Sequence, residues 1–158
     1  MRSVVTRLMV GGFLAPNSVA PGERVDFRGT PILVQPEELA AERGPDYAVL
    51  EDVDLDGGRY AEVEGEHEPL PGIRVIPTPG HSPGHQAVAV ETDAGRLLLA
   101  GQSFRQASDF ARAVTALRLE RDGLEDAPPY PDWLPRLLTL EPYRVVFGHD
   151  HAIWQPDA

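Results

Sequence analysis

Polar and apolar positions alternate with two different periods along the chain, and the periods predict a mixed α/β order. Ser3 to Val10 is apolar and β-branched and reads as a strand stopped by Gly11-Gly12. Residues 13 to 29 read as loop, and Ile32-Leu33-Val34 as a short buried strand. Pro36 to Gly44 has the marks of a helix, with Pro and acids in its first turn and Gly at its end. Residues 51 to 68 hold eight acids against Arg59 and read as a solvated hairpin or loop face. Ile73 to Ile76 is a strand, and Pro77 to Gly84 a rigid turn. Ala87 to Val90 and Leu97 to Ala100 are strands joined through Asp93-Ala94-Gly95 as a hairpin. A helix falls within 106 to 121. A second runs from Pro131 to Leu140, with Trp133, Leu134, Leu137, Leu138 and Leu140 as its apolar set. Val145-Val146-Phe147 is the last predicted strand and delivers Gly148-His149-Asp150-His151 at its carboxyl end. No internal repeat or linker breaks the 158 residues, which are read as one domain able to bury about 70% of its unfolded surface.

Composition narrows the chemistry. The formal net charge is −11, which disfavours partners held by bulk positive charge, so neither a nucleic acid nor an anionic membrane surface is expected. All 14 basic residues are Arg, which excludes a Schiff-base or P-loop lysine. No Cys is present, so disulfides, thiolate nucleophiles and Cys-bound metals are excluded, and a cytoplasmic location is expected. Leu8 to Gly22 is uncharged but too short to span a bilayer. The first twenty residues have the outline of a signal peptide, but Arg7 interrupts the apolar run, and a buried strand with a loop is the preferred reading. Asp52, Asp54 and Asp56 are spaced as the start of a calcium loop, yet the twelfth position is Val63 rather than Glu. No Gly-x-Ser-x-Gly elbow occurs.

Four of the five histidines lie in two short segments, Thr78-Pro79-Gly80-His81-Ser82-Pro83-Gly84-His85 and Gly148-His149-Asp150-His151. Pro83 and Gly84 make the first segment a loop, which can turn one imidazole outward and fold the other back as a structural group. His149 and His151 share a face if the chain stays extended. On the residues alone, hydrogen-bonded structural histidines and a binding site stand as alternatives.

The run TPGHSPGHQAVAVETDAGRLLLAGQSF followed by VVFGHDH is similar to the second half of metallo-β-lactamase-fold proteins, in particular the N-acyl-homoserine lactonase-like branch. The resemblance is strong over residues 70 to 150 and weak over 1 to 45. It implies an α/β fold, a truncated metallo-β-lactamase-type αβ/βα sandwich lacking much of the first half, as one domain over 1–158. It also implies that the first loop His, His81, and the Gly-His residue, His149, are metal ligands serving different metals. The family's Thr-His-x-His-x-Asp-His motif falls on Thr6, where the ligand positions hold Arg7, Met9, Gly11 and Gly12. The position of the metal-bridging Asp holds Gln102, a neutral amide. None of these replacements binds a divalent cation well.

The expectation is therefore a degenerate member without the dinuclear centre and with no cofactor. It binds or acts on a small molecule, an anionic one if Arg7 points into the pocket. His81, His149 and Arg7 are the catalytic candidates, and Gln102, His85 and His151 the substrate-binding ones. The alternatives are a metal-dependent hydrolase of esters, lactones or thioesters with a rebuilt or partner-completed zinc-type site, and a non-catalytic interaction module. A residual metal site would use His81 and His149 with Asp150, or with His85, His151 or Asp109. The plainer reading of His85 and Asp150 is turn support. The short front half predicts exposed sheet edge, covered by a homodimer or by a partner chain.

Overall fold

The computed structural model describes residues 9–10, 31–40 and 59–156. Arg7, Gly11 and Gly12 of the Thr6-aligned motif, the rest of the leader-like start apart from Met9–Val10, and the Asp52, Asp54 and Asp56 candidates lie outside the described residues, and of that motif's ligand positions Met9 alone is described. One sheet has strands β1 (Met9–Val10), β2 (Pro31–Val34) and β3 (Arg59–Glu62), paired in parallel in that order. The other has six strands in the order β4 (His67–Leu70), β5 (Ile73–Pro77), β6 (Gln86–Thr92), β7 (Gly95–Gly101), β8 (Arg144–Phe147) and β9 (Ile153–Trp154). All its neighbours are antiparallel except β7 and β8, which run parallel across a connection that contains helices α2 (Ala107–Arg121) and α3 (Leu134–Leu138). The short helix α1 (Pro36–Ala40) follows β2.

The period-2 pattern of the central strands separates the two faces of the larger sheet. Ala87 and Ala89 of β6, Leu98 and Ala100 of β7 and Ile76 of β5 cluster with Phe110, Ala113 and Val114 of α2 and Leu134 and Leu137 of α3. Val75 and Val88, with Ile73, Val90 and Leu99, cluster instead with Leu33 of the smaller sheet and with Ala61 and Val63. The larger sheet is thus the middle layer between helices and a second sheet. Alanines on its helix-facing side leave room for the Phe110 ring. That ring is fully buried and meets Phe104, Phe147 and Trp154 at centroid distances of 5.2, 5.7 and 5.0 Å.

Several predicted elements differ. The acid-rich segment contains β3 rather than an all-solvated loop. Along Tyr60 to Glu64 exposed and half-buried residues alternate, so the acids sit on the solvent side of a true strand and mask its apolar side. The predicted helix from Pro131 shrinks to α3: Pro131 to Trp133 form a turn, with the Leu134 N–H donating to the Pro131 carbonyl at 2.9 Å. Its apolar residues still pack as expected, with Leu134, Leu137 and Leu140 buried. The helix from Pro36 is described only to Ala40, and the strand from Ser3 only at Met9–Val10. Strand β9 was not predicted, because two residues after a polar turn carry no period. No helix among the described residues is long and apolar enough to cross a membrane.

Phe110 is the largest fully buried side chain, so Phe110→Ala should destabilise the chain by about 3–5 kcal/mol, measured by urea unfolding. A loss below about 1 kcal/mol would show that α2 does not seal this layer.

Candidate functional site

The loop after β5, the end of β7 and the turn after β8 come together at one end of the larger sheet. Thr78 and His85 close the first loop, with the Thr78 N–H donating to the His85 carbonyl at 2.8 Å. Inside it, Gly80 N–H and His85 N–H both donate to the Ser82 carbonyl. His85 is fully buried. Its Nε2 accepts the Gln102 backbone N–H at 3.1 Å, so the neutral ring carries its proton on Nδ1 and donates it to Thr78 Oγ1 at 2.8 Å. Burial, with the neighbouring His81 ring, pushes the His85 pKa down to about 4. Sequence offered His85 as a substrate-binding residue, but with both ring nitrogens engaged it is a bolt between the loop and the end of β7.

His81 is turned outward and exposed, its ring edge-on to His85 at 6.2 Å between centroids. The loop is held on its other sides as well. Trp133 Nε1 donates to the Pro79 carbonyl at 2.9 Å, and the Gly84 N–H donates to Glu38 Oε2 at 2.9 Å. A Cβ on Gly84 would lie 2.6 Å from the Glu38 backbone nitrogen, so only glycine allows α1 this close. Beneath the loop the buried amides of Gln35 and Gln86 bond to each other at 2.8 Å, and Gln86 Nε2 donates to the Leu33 carbonyl, stitching the two sheets together.

The second histidine segment does not stay extended. It turns at Gly148 and His149, so His149 and His151 do not share a strand face. Gly148 N–H donates to the Gly101 carbonyl at 2.8 Å, and a Cβ at Gly148 would press on that oxygen at 3.1 Å. Exposed His149 then meets Gln102, whose Nε2 lies 2.5 Å from His149 Nε2. Asp150 is committed elsewhere. Its Oδ2 accepts the Ala107 N–H at 2.8 Å and its Oδ1 the Ala152 N–H at 3.0 Å, and these bonds hold its carboxyl below the ordinary range. It caps the start of α2, where Gln106 makes no side-chain cap, and its negative charge suits the helix dipole. His151 is exposed, and among the described residues no hydrogen bond joins it to the cluster. Asp109 lies in the first turn of α2 beside Arg112, with 3.7 Å between their charged atoms.

His81, His85, Gln102 and His149 therefore form one contiguous cluster. Sequence reasoning missed Thr78, Glu38, Trp133 and the Gln35–Gln86 pair. Their partners are 7 to 54 residues away, so no local pattern marks them.

No protein-family model matches the chain. An N-acyl homoserine lactonase of Bacillus thuringiensis is 41% identical over 136 residues, covering 78% of this chain and 48% of the lactonase. A solved N-acyl homoserine lactone hydrolase, with the product N-hexanoyl-L-homoserine bound at the catalytic metal center, superposes with a TM-score of 0.56 at 28% identity, covering 79% of this chain and 49% of that one. This chain is a homologue of the N-acyl homoserine lactonases. Its fold is that of the metallo-β-lactamases, shared also with a Thermotoga maritima protein assigned to them, at a TM-score of 0.59 and 17% identity over 82% of this chain and 60% of that one. The chain spans about half the length of the curated lactonases it matches.

These relatives overturn the expectation that no cofactor is involved, because the homologous lactone hydrolase works at a metal centre. The described residues fit such a centre only in part. Asp150 and His85, two of the donors considered for a residual site, have their atoms taken by protein hydrogen bonds. Among the described residues no group of three His, Cys, Asp or Glu is placed to hold a metal. What remains is two outward imidazoles, His81 and His149, with the Gln102 amide against the second.

Two stability tests follow from this geometry. Folding requires neutral His85, whereas the unfolded chain takes up a proton below pH about 6.5, so the contribution of His85 is complete above that pH. It is lost as pH falls from about 6.5 to about 4, by on the order of 3 kcal/mol. Urea unfolding over this window should show a steeper loss in the wild type than in His85→Gln; parallel curves would contradict a buried neutral imidazole. Asp150 works with the same sign at lower pH: its contribution is present while it is ionised and is lost as pH falls through its depressed pKa. Asp150→Ala should lower the melting temperature, with Asp150→Asn keeping part of the cap. An unchanged melting temperature in Asp150→Ala would remove the cap.

Proposed function

We propose that this chain takes part in metal-dependent hydrolysis of lactones or related esters, contributing His81 and His149 to a centre whose other donors lie outside the described residues. The observation that carries the reading is the placement of His81 and His149 at one end of the sheet, each presented by a braced turn, in a chain 41% identical to a lactonase over most of its length. The sequence alone favours a metal-independent protein. The relatives favour the metal-dependent reading, because a homologous lactone hydrolase holds its product at a catalytic metal center. The bound metal would act as a Lewis acid and water activator. The protein's share is positioning: His85 fixes the loop that presents His81, and the Gly101–Gly148 bond fixes the turn that presents His149. Arg7 and His151 remain as candidates for holding the substrate, Arg7 through an anionic group. The completing donors would come from further polypeptide, either a second copy of this chain or another chain.

The test is metal content by mass spectrometry after loading with zinc, manganese or iron, with hydrolysis of N-hexanoyl-homoserine lactone followed by acid release. Bound metal should fall in both His81→Ala and His149→Ala, with affinity reduced at least about tenfold, and lactone hydrolysis should stop with a chelator. Metal retention equal to wild type in both variants, or hydrolysis that survives the chelator, would overturn the reading.

A further inference from the structure

We propose that Trp133 is a positioning residue for His81: its indole bonds to the loop that carries His81 and packs on the segment to which the His149 turn is tied. The proposal rests on the hydrolase reading for what the two imidazoles do, but the positioning itself is a property of the chain and requires no cation.

The His81 loop is closed at its base by Thr78 and His85, and the two backbone bonds to the Ser82 carbonyl shape its tip. Neither fixes how the tip tilts against the rest of the fold. Among the described residues the tip has two outside braces. One is Glu38 on the Gly84 N–H, three residues after His81. The other is Trp133 Nε1, which donates to the Pro79 carbonyl at 2.9 Å, two residues before His81. Pro79 has no N–H, so that carbonyl is its one backbone hydrogen-bonding group. On the other side of His81 the Ser82 hydroxyl is buried without a hydrogen-bond partner, so no side-chain bond holds the tip there. The indole therefore supplies the brace nearest to His81.

The indole is fixed in its turn. It stands directly before Leu134, which is fully buried at the start of α3. Its ring meets Phe104 at 5.5 Å between centroids, and Phe104 meets Phe110 at 5.2 Å, both edge-on. Phe104 lies between Gln102, whose backbone N–H is bound to His85, and Ala107, whose N–H is bound to Asp150, the residue after His149. One rigid ring thus bonds to the first histidine loop and packs on the segment tied to the second histidine turn. Two imidazoles can act on one small molecule only while their spacing is kept, and a displacement of about 1 Å can cost on the order of a hundredfold in rate.

The test compares Trp133→Phe, which keeps a ring against Phe104 and loses the N–H, with Trp154→Phe, which alters the chain's other Trp, packed on Phe110 in the same core. Nuclear magnetic resonance of the full chain reads the His81 imidazole signals and microsecond-to-millisecond exchange at Gly80 to Ser82. Trp133→Phe should shift the His81 signals and add exchange at the tip, whereas Trp154→Phe should leave both as in wild type. With N-hexanoyl-homoserine lactone, Trp133→Phe should lower kcat at least about tenfold and leave KM within about twofold. Unchanged His81 signals and exchange in Trp133→Phe would overturn the proposal. So would the same changes in Trp154→Phe, which would mark a general loosening of the core. Failure of the hydrolase reading looks different, because a wild type without lactone hydrolysis would leave the response of His81 to Trp133→Phe in place.

Discussion

The His85 ring is the contact on which the described site depends. Its two nitrogens tie Thr78, at the start of one loop, to the backbone at Gln102, at the end of a strand 17 residues on. A buried imidazole with an unpaired nitrogen would cost free energy, so the two bonds fix not only position but tautomer. Everything outward of that ring inherits its geometry. His81 is displayed edge-on to it, and Gln102 is held where its side chain reaches His149. A single neutral side chain thus sets the relation between two loops that sequence alone presents as independent histidine clusters.

The same economy governs the layer below. Alternation in β6 sends alanines to the helices and valines to the smaller sheet, so one strand seals two interfaces. The helix side needs small residues because Phe110 and its aromatic neighbours fill the volume. Asp150 connects this packing to the site: one carboxylate closes the turn that carries His149 and caps the helix that carries Phe110. The site and the core are therefore not separable, and a change at the turn is felt in α2.

Much of this was legible in the sequence where the signal is local. The histidine loop, the hairpin at Asp93-Ala94-Gly95 and the late strand ending in Gly-His all stand where the pattern puts them. Strand β3 was hidden because its solvent-facing acids dominate the composition of the segment. Strand β9 is two residues long, and α3 is shortened by the turn before it. The roles within the site were less legible. Asp150 meets Ala107 across 43 residues and Gln102 meets His149 across 47, and no periodicity records such pairs. Sequence did carry the identity of residue 102 and its departure from a carboxylate. It could not show that the amide is turned onto an imidazole.

That departure bears on how the chain relates to its lactonase homologues. A carboxylate beside His149 would accept from a ring N–H and carry a negative charge, whereas the Gln102 amide is neutral and places its NH2 against the ring. Set against the carboxylate that the resemblance implies there, Gln102 removes a charge and places a hydrogen-bonding amide beside His149. The rest of the described architecture is held by contacts that involve no ligand. His85 is neutral, Asp150 is spent on backbone donors, and the glycines at 84 and 148 permit close backbone approaches that involve no ligand. On the metal-dependent reading, the remaining donors come from outside the described residues, and what this chain supplies is the braced geometry that turns His81 and His149 outward.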